Sequence, residues 1–149
     1  MEITLKIKKN EVYDKVAQST EYVGDRMTDD ADAYERIRVI DTDSDELERF
    51  WNESRADLMS AFELLRPKET IDGDNYWLTI YPSDAFNTYM VPAMEVELVS
   101  FFVQSIMAKW FAYTNKKEAA DYAAVAAGTL EALRLKAPRK TFVRRLSLY

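Results

Sequence analysis

The stretch PAMEVELVSFFVQSIMAKWFAYT, running from Pro92 to Thr114 and followed at once by Asn115 to Lys136, decides the fold. Its first half is the most hydrophobic part of the chain. Val96, Val99, Phe102, Val103, Ile106, Met107, Trp110 and Tyr113 recur at helical spacing, and Leu98, Phe101 and Phe111 spill onto the other faces. A helix apolar over most of its circumference has to be covered on several sides, so it belongs at the centre of a helical domain. Its densest run, Leu98 to Tyr113, is shorter than the ~20 apolar residues a bilayer span needs and contains Ser100, Gln104, Ser105 and Lys109, so it reads as a core helix.

Thr114 and Asn115 form the joint to the next helix, with Asn115 and Glu118 at capping-box spacing. Ala119, Tyr122, Ala123, Ala126, Leu130 and Leu133 then fall on one stripe, and alanines there allow two helices to approach closely. Pro138 ends this helix. Upstream, Ser83 to Met90 reads as a short helix, and Pro92 either opens the central helix or kinks a longer one.

Further outward, Asp43 and Glu46 make another capping pair, followed by a stripe of Leu47, Phe50, Trp51, Ser54, Leu58, Ala61, Phe62 and Leu65 that Pro67 stops. Ile3, Leu5 and Ile7 alternate with polar residues, as do Tyr76, Leu78 and Ile80 with Trp77, Thr79 and Tyr81. These are strand patterns, and the residues from Ile71 to Asn75 are turn chemistry. Between the first strand and the Asp43 helix, Asn10 offers an N-cap for Val12, Val16, Thr20 and Val23, with Gly24 suited to the C-cap. Tyr34, Ile37 and Ile40 anchor a short helix within the acidic stretch from Asp25 to Glu48. The expected fold is mainly α: a four-helix core around a central hydrophobic helix, with a small two-stranded β ribbon. Residues 1–136 are expected to form one domain and residues 137–149 a basic C-terminal arm.

The 149 residues are 48% hydrophobic and 31% charged, which is globular composition. A net charge of −6 and a pI of about 4.8 argue against whole-molecule attraction to nucleic acid or an anionic membrane. Without cysteine there is neither a disulfide nor a thiolate metal site, and without histidine the commonest general base and transition-metal ligand are missing. The first residues lack the long apolar core and cleavage site of a signal peptide.

Asp41, Asp43 and Asp45 alternate as in the opening of an EF-hand loop, but Glu46 stands where the loop needs glycine and Asn52 where it needs a bidentate glutamate. The trio therefore reads as an acidic helix N-terminus. Asp45 with Glu48, and Glu118 with Asp121, have the i, i+3 spacing by which an all-helical Mg²⁺-dependent nucleotide pyrophosphohydrolase gathers carboxylates. That is the enzymatic alternative. No serine sits in a nucleophile elbow, and none of the three glycines forms a phosphate-cradling loop. No cofactor is expected.

The charge is unevenly divided. Lys136, Arg139, Lys140, Arg144 and Arg145 give the last fourteen residues five positive charges and no acidic side chain, leaving −11 on residues 1–135. A positive arm on a negative body is complementary to a neighbouring copy, and head-to-tail contacts of that kind close into rings. Asp41, Asp43 and Asp45 on one side, and Arg139, Lys140, Arg144 and Arg145 on the other, are the candidate interaction residues.

The series Ala108-Lys109-Trp110, Asn115-Lys116-Lys117-Glu118, Tyr122 and Pro138-Arg139-Lys140 resembles small uncharacterised prophage-type proteins of gut Bacteroides genomes. Tyr34-Glu35-Arg36, Asp41-Thr42-Asp43, Leu47 and Phe50-Trp51 look like the start of that pattern. More distantly, an acidic turn leading into long paired helices is similar to phage head–tail connector (adaptor) proteins, which are mainly helical and form rings at the virion neck. The resemblance implies a non-enzymatic structural protein whose partners are copies of itself and other virion-type proteins, found in the cytoplasm or the virion. The two strands are more than a minimal adaptor needs.

Overall fold

A computed structural model describes residues 1–26 and 44–138. Strand β1 (Ile3–Lys8) leads without a gap into α1 (Lys9–Arg26); α2 (Ser44–Ala61) follows, then β2 (Lys68–Asp72), β3 (Asn75–Ile80), α3 (Val91–Thr114) and α4 (Lys116–Lys136). Short 3-10 turns at Glu63–Leu65 and Thr88–Met90 close α2 and lead into α3. The protein is mainly α, with α3 central and in contact with α1, α2 and α4.

The expected two-stranded ribbon is a three-stranded antiparallel sheet in the order β1-β3-β2. Pairing of Ile3 with Ile80, Leu5 with Leu78 and Ile7 with Tyr76 puts six buried side chains on the helix-facing side. The unforeseen strand, β2, holds one large apolar residue, Ile71, so alternation could not reveal it. A two-residue turn, Gly73-Asp74, joins it to β3. Gly73 has φ +58 at the first central position, a left-handed geometry that favours glycine and matches the twist of a hairpin.

That turn also caps α1. The Lys9 N–H donates to the Asp74 carbonyl (2.9 Å) and the Asn10 N–H to Asp74 Oδ1 (2.7 Å), so an aspartate distant in sequence does what Asn10 was expected to do. Gly24 is not a C-cap, because α1 runs on to Arg26. Val12, Val16 and Thr20 are buried as the spacing predicts. The expected short helix around Tyr34, Ile37 and Ile40, and Asp43 of the capping pair, lie outside the described residues.

The α2 stripe holds along its length, with Leu47, Phe50, Trp51, Ser54, Leu58, Phe62 and Leu65 buried and Ala61 half-buried. Pro67 follows Arg66, whose φ of 52 ends the helical path. The Arg66 guanidinium lies 4.9 Å from the Tyr81 ring centroid, a cation–π contact across to the end of β3.

Pro92 sits in the first turn of α3 and does not kink it. Most of the expected core face of α3 holds: Val99, Phe102, Ile106 and Met107 are buried, and Val103 and Trp110 pack against the core. Leu98, Phe101, Ser105 and Phe111 are buried as well, while Val96 and Tyr113, placed by spacing on the core face, are 67% and 76% exposed. Apolar residues on nearly every face leave periodicity unable to mark where the core side ends. By length and composition α3 could cross a membrane, yet half of its most apolar window is buried here under α1, α2, α4 and β1.

The joint at Asn115 is closed by backbone, without a capping box. Its N–H donates to the Phe111 carbonyl (2.7 Å), its carbonyl accepts from the Ala119 N–H (3.1 Å), and its side chain makes no cap bond. Ala126 and Leu133 are buried against α3, and Ala137, expected to begin the arm, is buried as well.

The centre of the core is aromatic. Trp51 stacks on Phe102 with centroids 4.2 Å apart, and Tyr76 meets both rings edge-on at 5.6 and 5.7 Å. Such pairs add about 0.5–1.5 kcal/mol each beyond simple burial. They fasten α2, α3 and the sheet together.

Candidate interaction surfaces

Of the seven residues singled out by charge, Asp45 alone is described. It is exposed in the first turn of α2, where negative charge suits the helix dipole. Asp41, Asp43, Arg139, Lys140, Arg144 and Arg145 lie outside the described residues.

Of the paired carboxylates, Glu48 has a structural occupation. Glu48 accepts from Lys9 Nζ and from the Tyr13 hydroxyl (3.0 Å), tying α1 to α2. The Lys9 ammonium holds the Glu48 carboxyl below its usual range, against the opposing effect of burial and with a smaller contribution from the Tyr13 hydroxyl. Tyr13 is pushed the other way, first by burial and then by Glu48. Glu118 is half-buried and Asp121 exposed on α4. Among the described residues, no group of three carboxylates gathers as a metal site would require.

A cleft of about 410 Å³ opens between α2, α3 and α4, floored by Ala123, Ala126 and Ala127. At its base, Ser54 Oγ and Ser105 Oγ lie 2.7 Å apart, both buried, and each satisfies the other. Lys109 Nζ stands 3.4 Å from Ser105 Oγ and 3.4 Å from Asp57 Oδ2. The two hydroxyls thus bond to each other, and Lys109 pairs with Asp57 above them. The arrangement is a satisfied polar plug in an apolar seam.

What exceeds structural need is apolar and outward-facing. Tyr89, Pro92, Ala93 and Val96 follow the i, i+3, i+4, i+7 spacing of a buried stripe, and all four are exposed, Tyr89 at 90%. The spacing could have disclosed this stripe, but Val96 had been assigned inward with Val99 and Val103. The C-terminal segment is rooted at the same end of α3. Lys136 Nζ pairs with Glu97, next to Val96, and the Pro138 carbonyl accepts the Ser83 N–H at 2.8 Å. Leu64 and Leu135, each 66% exposed, flank a groove of about 230 Å³ that ends at Pro138.

Comparison with protein-family profiles, with curated protein sequences and with solved structures gives no match.

Proposed function

We propose that this chain is a non-enzymatic assembly protein of the phage head–tail connector type, acting through contacts with copies of itself and with other virion-type proteins. The observation that carries the reading is the uncovered stripe of Tyr89, Pro92, Ala93 and Val96. A single exposed apolar residue needs no explanation, whereas a contiguous one at core spacing marks a contact surface. The charge layout supports the same class, since a basic terminus leaving this end of α3 is complementary to the acidic body of a neighbour.

The test is mass in solution at low and high salt, for the full chain, for a chain ending at Lys136 and for Val96→Asp. Assemblies that shrink at high salt and in both variants are expected. A monomer at high concentration in every condition would count against the reading. Mg²⁺-dependent release of pyrophosphate from a nucleotide panel, lost in Glu118→Gln, would overturn it in favour of the hydrolase.

A further inference from the structure

We propose that β2 is a dimerisation edge: two copies add their β2 strands antiparallel about Thr70, joining two three-stranded sheets into one of six strands. This rests on the self-association proposed above but uses a different surface from the stripe on α3.

The two edges of the sheet are unlike. On β1 the Lys6 N–H donates to Glu95 Oε2 at 2.7 Å, and α3 packs against the strand. β2 stands at the other end of the order β1-β3-β2, and among the described residues no strand pairs with its outer side. An open edge is a template for another strand.

Register then selects the partner. The two-residue turn closes on the Asp72–Asn75 pair, and hydrogen-bonded and non-bonded pairs alternate away from it. Lys68, Thr70 and Asp72 therefore spend their backbone groups on β3, and Glu69 and Ile71 aim theirs outward. With Thr70 on a two-fold axis, Glu69 of each copy faces Ile71 of the other and the four residues exchange four backbone hydrogen bonds. The same register sets Lys68 opposite Asp72 twice and Thr70 opposite itself. The segment Lys68-Glu-Thr-Ile-Asp72 is thus complementary in charge to its own antiparallel copy. Moving the axis to Glu69 would oppose two carboxylates, and moving it to Ile71 would set each Lys68 against Asp74 of the turn, whose carboxylate already accepts from the Asn10 N–H.

The side chains agree with that register. Ile71 lies on the face shared with Tyr76 and Leu78, yet it is 50% exposed. On the same face, beside Glu69, a cleft of about 320 Å³ is lined by Asn52, Arg55, Ala56 and Met59. The second copy's Ile71 sits opposite Glu69 and so enters that cleft, covering Met59 and Ala56. Arg55 already holds Glu69 in place on its rim.

Sedimentation equilibrium on charge-swap variants tests this. Lys68→Asp and Asp72→Lys each oppose like charges and should weaken the dimer by roughly tenfold or more. The double variant Lys68→Asp/Asp72→Lys should restore it, and an equimolar mixture of the two single variants should form a mixed dimer. These are exposed positions, so circular dichroism should be unchanged. Wild-type affinity in both single variants, or a double variant no better than either, would overturn the proposal. A dimer that persists in the chain ending at Lys136 and in Val96→Asp, with no larger assembly in any variant, would sink the connector reading alone. Larger assemblies indifferent to Lys68 and Asp72 would sink this one alone.

Discussion

The core has two regions built on opposite principles. Where α2 meets α3 and the sheet, Trp51, Phe102 and Tyr76 interlock as rings, with Tyr13 edge-on to Trp51 at 6.2 Å. Where α4 meets α3, the contact is alanine-rich, and Ala123, Ala126 and Ala127 border an open cleft. Large rings fix orientation, because few arrangements of a Trp–Phe–Tyr cluster fill space without voids. Small residues fix distance: they bring helix axes close without specifying much about what lies above. The ring region should therefore set stability and the alanine seam should tolerate change. The exposed stripe and the open strand edge lie outside both.

Truncating a ring should show the largest effect. Trp51→Ala removes the stack on Phe102 and the edge contacts of Tyr13 and Tyr76, and should cost about 3–5 kcal/mol in denaturant unfolding. A loss below ~1 kcal/mol would erase the contrast between the regions. Next comes the polar plug between them. Ser105→Ala leaves the Ser54 hydroxyl buried without its 2.7 Å partner and should cost about 1–3 kcal/mol. The double variant Ser54→Ala/Ser105→Ala should cost less than the single one. Equal costs for both would mean that the pair does not act as a unit.

The two regions also differed in how far they could be read from the sequence. The α2 stripe was legible because polar residues interrupt it at regular intervals and so set its phase. In α3 almost every face is apolar, so Leu98, Phe101 and Phe111 were taken for spill-over when they are core, and Val96 and Tyr113 the reverse. β2 was illegible for another reason: its identity comes from pairing with β3 across the Gly73-Asp74 turn, while its own residues are exposed. Of the candidate interaction residues, Asp45 is described, in the first turn of α2 where its spacing puts it. The outward stripe was written in plain helical spacing, but spacing alone does not say whether a neighbour covers it.

Alkaline unfolding sharpens the ring region further. The Tyr76 phenol is buried, and its hydroxyl lies near the Glu69 carboxylate without closing a hydrogen bond to it. Burial first, and the Glu69 charge second, push its pKa upward. The folded state therefore keeps this proton at a pH where the unfolded chain releases it. The contribution is complete below pH ~10 and is lost as pH climbs towards the folded value, at up to about 1.4 kcal/mol per pH unit. Tyr76→Phe should flatten that alkaline limb in pH-dependent melting, and an unchanged limb would show that another group controls it.

The smallest expected effect belongs to the seam. Ala127 is exposed on α4 and borders the 410 Å³ cleft beside Phe101 and Leu130. A leucine there has room to lie along the cleft, since the volume is open and the floor is made of small side chains. It would cover apolar surface at roughly 25 cal/mol per Å² while losing some rotamer freedom, so the two terms nearly offset. Ala127→Leu should therefore change stability by less than about 1 kcal/mol, with stabilisation the expected direction. Overpacked cores respond with losses of about 1–3 kcal/mol. A loss of that size, measured by denaturant titration, would mean that the seam is as tightly specified as the rings around Trp51 and that small residues there constrain more than helix spacing.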